Sequence, residues 1–146
     1  MNATIHDRSG RPYALEFDLP TDSHLLIVKV FSEKHRIGYA NCFIMNTTIL
    51  LQDIHISDDV PVREFRVVNF IQGLARRKPK TLNYRGRGIG TGLLLAVLQY
   101  ARERGMHEVR GRLGPLDWKR NPNLPNWYRK HGFSVSESGE ISRRIQ

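Results

Sequence analysis

Arg85-Gly86-Arg87-Gly88-Ile89-Gly90-Thr91-Gly92 runs directly into the apolar stretch Leu93-Leu94-Leu95-Ala96-Val97-Leu98. Glycines let a turn curl so that successive backbone N–H groups converge. The N-terminus of the helix that follows adds partial positive charge at the same place. Residues of these types at this spacing can hold a phosphate or pyrophosphate, with the arginines raising the local potential further. The plain alternative is a flexible glycine loop ahead of an ordinary core helix. Two phosphate loops are excluded. A dinucleotide fingerprint G-x-G-x-x-G started at Gly86 puts Thr91 in the third glycine position, and started at Gly88 it puts Leu93 there. A P-loop needs Gly-Lys-Ser/Thr, and no lysine lies between Lys80 and Lys119.

A second chemical cluster is Asn121-Pro122-Asn123-Leu124-Pro125-Asn126-Trp127-Tyr128-Arg129-Lys130-His131-Gly132-Phe133. A phenol such as Tyr128 keeps its proton at neutral pH, because its ordinary pKa is near 10. Tyr128 could equally be an aromatic packing residue beside Trp127. With the two fingerprints excluded, the pattern Arg85-x-x-Gly88-x-Gly90 resembles the acyl-CoA pyrophosphate loop of the GNAT superfamily of N-acyltransferases. The Asn121 to Phe133 segment is similar to that family's Asn…Tyr…Gly-Phe motif. Leu51-Gln52-Asp53-Ile54-His55-Ile56 is a softer match to its fourth strand. The resemblance runs from about Arg36 to Phe133.

The resemblance implies acetyl transfer from acetyl-CoA to a primary amine by direct attack on the thioester, with no metal. The turn residues Arg85, Gly86, Arg87, Gly88, Ile89, Gly90 and Thr91 would hold the pyrophosphate. Backbone N–H groups near His55 and Ile56 would polarise the carbonyl where the strand splays from its neighbour. Tyr128 would be the general acid. Asn121 would bond the pantetheine arm, or else cap a helix ahead of Pro122. Family members often place a Glu where this chain has Gln52, which cannot accept a proton. Asp53 and His55, on one face by simple alternation and opposite Gln52, are the candidate bases. Two rival readings stay open: a non-catalytic acyl-CoA-binding or sensing domain of the same fold, and a basic nucleic-acid-associated module.

Composition narrows these readings. The 146 residues suit one domain, 1–146, with 40% hydrophobic residues and a net charge of +9. Such charge favours polyanionic company, and a phosphate-bearing co-substrate accounts for part of it. No zinc-finger spacing or RNP motif is present, so nucleic acid is the minority partner and a small-molecule or peptide amine the expected one. The single cysteine, Cys42, excludes an internal disulfide framework and a cysteine-based zinc cluster. The start of the chain is too polar for a signal peptide, and no apolar run approaches about 18 residues. These features predict a cytoplasmic protein without membrane partners; homodimerisation stays open.

The elements that must position these residues follow from periodicity. Alternation predicts strands over 13–18, 24–31, 37–45 and 48–56, an antiparallel meander with no helix between its first two strands. Between Ile56 and Arg85 lies an insert, about 58–80. Spacing of Val62, Phe65, Val68, Ile71 and Ala75 predicts a helix over 62–77 there, ending in the cations Arg76, Arg77, Lys78 and Lys80. A helix over 88–104 and a strand over 107–113 complete a β-α-β unit with parallel strands. Pro115, Pro122 and Pro125 are expected to break the link to the Tyr128 helix, and 133–145 to form a hairpin turning at Glu137-Ser138-Gly139. The class is α/β (α+β): a GNAT-like mixed central sheet flanked by helices.

Overall fold

The computed structural model describes residues 2–20, 23–57, 60–61, 81–82 and 86–146. Period-two alternation builds the sheet. In β3 (Leu25–Ser32), Leu26, Val28 and Val30 are fully buried while the residues between them are half-buried. β1 (Asn2–His6), β2 (Pro12–Asp18), β3, β4 (His35–Met45) and β5 (Thr48–Ile56) lie side by side, antiparallel, in chain order. β8 (Glu108–Arg112), β10 (Glu140–Arg144) and β9 (Ser134–Val135) extend this to eight strands in the order β1-β2-β3-β4-β5-β8-β10-β9. β5 and β8 are the parallel pair. As expected, β2 passes to β3 with no helix between them.

Among the described residues, one helix anchors the sheet. α1 (Ile89–Glu103) buries Ile89, Leu93, Leu94, Val97, Leu98, Tyr100 and Ala101 against Leu15, Val28, Val30, Ile37, Ile49 and Val109 of the strands. Each fully buried side chain of this kind contributes about 1.5–3 kcal/mol, so the helix start is held rigidly. The helix closes with the Met106 N–H on the Ala101 carbonyl at 2.9 Å. Two short helices follow, α2 (Pro115–Arg120) and α3 (Leu124–Lys130).

Two expectations need correction. The meander has a fifth strand, β1, paired with β2 from Asn2↔Glu16 to His6↔Pro12. As an edge strand it sends only Ile5 toward the core, too little for the alternation to register. Pro115, read as a breaker, instead opens α2, where a missing N–H costs nothing. Asp117 then accepts the Gly114 N–H at 2.7 Å. The insert is framed by a two-residue ladder, β6 (Val60–Pro61) with β7 (Thr81–Leu82). The helix expected over 62–77, the cations Arg76, Arg77, Lys78 and Lys80, and Arg85 lie outside the described residues. Among the described residues, no helix is long and apolar enough to cross a membrane.

Candidate functional site

β5 and β8 pair only from Thr48↔Glu108 to Leu51↔Gly111. Beyond Leu51, β5 stays with β4 as far as Gly38↔Ile56, and β8 ends at Arg112. The parting begins at a register slip: Asn41 pairs with Asp53 and Cys42 with Leu51, leaving Gln52 as an extra, bulged residue. Gly111 occupies the last paired position, and a Cβ there would sit 2.8 Å from the Leu51 carbonyl oxygen. The strands touch most tightly just before they separate.

The bulge overturns the alternation argument. Gln52 and Asp53 are consecutive yet both exposed, and both line the resulting cleft together with His55. Gln52 is therefore not set on the far face from Asp53. Pairing parity also decides which amides the cleft receives. The Ser57 N–H bonds the Ile37 carbonyl at 2.7 Å, so Ser57, His55 and Asp53 turn their backbone groups toward β4. Ile54 and Ile56 turn theirs away, along the edge β8 has left. The His55 amide is thus committed to β4, and its place is taken by that of Ile54. The His55 ring packs against Tyr39, centroids 5.5 Å apart.

The glycine turn lies on the same cleft, whose volume is about 890 Å³. Gly88 precedes α1 with φ 87°, a left-handed conformation suited to glycine. Among the described residues no side chain caps this helix start, and its first turn carries no acid. The first intrahelical bond is Gly92 N–H to the Gly88 carbonyl, at 3.1 Å, so the N–H groups of Ile89, Gly90 and Thr91 have no acceptor within the helix. Gly86, Gly88, Gly90 and Thr91 line the cleft. Two predicted residues do not present side chains there. Ile89 is 1% exposed in the core and can offer only its amide. The Arg87 guanidinium turns to buried Asp7, at 4.0 Å.

α3 joins the turn through Trp127, whose Nε1 donates to Thr91 Oγ1 at 3.2 Å. Tyr128 is wedged edge-on between Trp127 and Phe133, at centroid distances of 4.8 and 5.4 Å. It is 6% exposed, yet it lines the cleft, and its hydroxyl makes no hydrogen bond among the described residues. Burial pushes its phenol well above the ordinary value, and the carboxylates of Asp117 and Asp53 push the same way. Asn121 also reaches the cleft, where its Oδ1 accepts the Asn123 N–H at 3.2 Å. Cys42 is sealed in the core with its thiol pushed up to about 12 by burial, which leaves it inert. Among the described residues, no cluster of His, Cys, Asp or Glu could hold a metal ion.

Four charged lining residues escaped the sequence reading: Arg8, Arg112, Asp117 and Arg120. Asp7-Arg8-Ser9-Gly10 was a turn signal available in the sequence. Pro115 followed by Asp117 was a helix-start signal.

Residues 81–135 match the family model of the acetyltransferase (GNAT) domain. No curated protein sequence matches the chain. Solved structures share the fold. PaiA N-acetyltransferase from Thermoplasma acidophilum, in complex with coenzyme A, is 18% identical with TM-score 0.56 over 83% of this chain and 61% of its own. The ribosomal-protein-S18-alanine N-acetyltransferase from Escherichia coli is 12% identical with TM-score 0.57 over 84% and 70%. The cAMP-binding acyltransferase from Mycobacterium smegmatis is 13% identical with TM-score 0.63 over 100% and 48%. The chain thus spans less than two thirds of the first of these and about half of the last. The chain thus carries a GNAT acetyltransferase-domain match across the glycine turn and α3, and across the sheet it shares the fold of these acetyltransferase structures.

Proposed function

We propose that this chain is an N-acetyltransferase moving an acetyl group from acetyl-CoA to a primary amine by direct attack. The observation that carries this reading is convergence. An uncapped helix start, a strand edge with outward amides and a buried phenol with a free hydroxyl all line one cleft. Acetyl-CoA would supply the activated thioester. The amides of Ile89, Gly90 and Thr91 bind its pyrophosphate, aided by the helix dipole. The outward amides of Ile54 and Ile56 orient the pantetheine arm and polarise the thioester carbonyl. Tyr128, held protonated by its surroundings, gives its proton as thiolate charge develops. Asp53, whose charge reaches Tyr128, and His55 are the candidates for accepting the amine proton. A primary amine on a small molecule or peptide is the proposed acceptor, the cytoplasm the proposed site of action, and the insert 58–80 one proposed wall of the acceptor site.

The test is acetyl-CoA stabilisation together with CoA release across a panel of amines. A ligand present at 100 times its Kd raises stability by about 2.7 kcal/mol. A Cβ at Gly90 would meet nothing within 4 Å, so Gly90→Glu should fold normally. It places a negative charge in the phosphate position and should abolish the stabilisation. An unchanged shift in this variant would move the cofactor site elsewhere. Gln52 at the bulge favours one second reading, a non-catalytic acyl-CoA sensor. That protein would show the shift without CoA release.

A further inference from the structure

The turn between β1 and β2 is built with unusual rigidity for a surface hairpin. Asp7 is buried beneath it, and its carboxylate accepts the Ser9 N–H at 2.9 Å, the Ser9 hydroxyl at 2.6 Å and the Arg11 N–H at 3.0 Å. Its other oxygen accepts the buried Tyr13 hydroxyl at 2.7 Å. The turn is also fastened to the glycine loop, since the Arg8 N–H bonds the Arg87 carbonyl at 2.9 Å. The Arg8 side chain then lies across Gly88. Its Cγ and Nε fall 3.2 and 3.6 Å from where a Gly88 Cβ would be. Arg8 lines the cleft beside Gly86, Gly88 and Gly90, and among the described residues its guanidinium has no ion pair or hydrogen bond. Arg87, the loop's own cation among the described residues, is directed to Asp7.

We propose that Arg8 is a pyrophosphate ligand of the acyl-CoA site, delivered to the glycine loop by the Asp7-locked turn between β1 and β2, far from the loop in sequence. This rests on the acyl-CoA reading above and adds a residue that the glycine motif does not contain. The chemistry is direct. A guanidinium beside a helix N-terminus offers paired N–H donors to phosphate oxygens, and the backbone amides approach the same oxygens from the helix side. The turn's rigidity means little side-chain and loop freedom is lost when the anion arrives.

The experiment is calorimetric titration of wild type, Arg8→Met, Arg8→Gln and Arg8→Lys with CoA and with 3′-dephospho-CoA, alongside the melting temperature of each free protein. Arg8→Met preserves packing over Gly88 without the charge. Arg8→Gln is the second neutral variant should the first fail to fold. The neutral variants should weaken both ligands equally, about 10–100-fold, as expected for loss of hydrogen bonds to a charged group. Arg8→Lys should fall between them and wild type, and melting temperatures should stay near wild type. Wild-type affinity in a folded neutral variant overturns the proposal. A loss confined to CoA also overturns it, by placing Arg8 on the 3′-phosphate. A wild-type chain that binds neither ligand removes the acyl-CoA reading itself, and this proposal with it.

Discussion

The two halves of β5 behave as different structures within one strand. Over 48–51 it is flanked by β4 and β8, and Ile49 and Leu51 are 0% and 4% exposed. Over 52–56 it keeps β4 alone, and Gln52, Asp53 and His55 are exposed. The first half is core and the second lines the cleft. An open strand edge is ordinarily a hazard, because unpaired amides recruit other strands. Here the parting occurs beside a helix start and above a buried tyrosine, so the same amides face a confined cleft. The difference teaches that this site is made by withdrawing a partner strand rather than by adding a loop.

The largest effect should come from the group facing the open half. Tyr128→Phe should cut kcat about 10²–10⁴-fold while acetyl-CoA affinity barely changes, read from steady-state kinetics with a confirmed acceptor. Wild-type turnover would return Tyr128 to a packing role. Leu51→Ala, in the closed half, should cost about 2–5 kcal/mol in urea unfolding, as for other buried leucines. If the loss were under about 1 kcal/mol, the closed half would not be core.

The hairpin beneath the glycine turn should respond to pH at both ends. Four hydrogen bonds hold the Asp7 carboxyl well below its ordinary 3.8, so its stabilisation is present above that value and lost as pH falls below it. Burial, and then the Asp7 contact, push Tyr13 up to about 12 from 10.0. Its stabilisation is complete below pH 10 and disappears as pH rises toward about 12. Unfolding midpoints followed across pH should fall on both sides, and Tyr13→Phe should flatten the alkaline side. An unchanged alkaline side in that variant would assign the loss to Tyr128, which burial shifts in the same direction.

Smaller effects sharpen the comparison further. Gly88→Ala imposes a Cβ at φ 87° and 3.2 Å from Arg8 Cγ, and should cost about 1–2 kcal/mol while weakening CoA. A variant as stable and as tight as wild type would show that the turn relaxes freely. Gln52→Ala, at the bulge in the open half, should change stability by less than about 0.5 kcal/mol. A cost near that of Leu51→Ala would erase the distinction between the two halves.

Much of the frame was legible because local rules set it. Alternation placed β2 to β5 to within a few residues, and the apolar run after Gly92 placed α1. The glycine spacing and the Asn121 to Phe133 segment pointed to one family, since each motif is a local backbone requirement. β1 was missed because an edge strand with one inward residue has almost no pattern to read. α2 was missed because Pro115 breaks a helix interior but opens a helix, and only the surrounding chain says which.

The sequence by itself determined the types and order of the chemical groups: a glycine turn, a helix start without acids, and a tyrosine seven residues after Asn121. Only the tertiary structure decided how they are shared out. It sent Arg87 to Asp7 and laid Arg8 across the glycine turn, and it committed the His55 amide to β4 while freeing those of Ile54 and Ile56. The physical reason is that side-chain type is local, whereas pairing partners, register slips and the neighbours that shift a pKa come from chain segments far apart in sequence. A single bulge at Gln52 changes which groups face the cleft, and nothing in the local sequence records it.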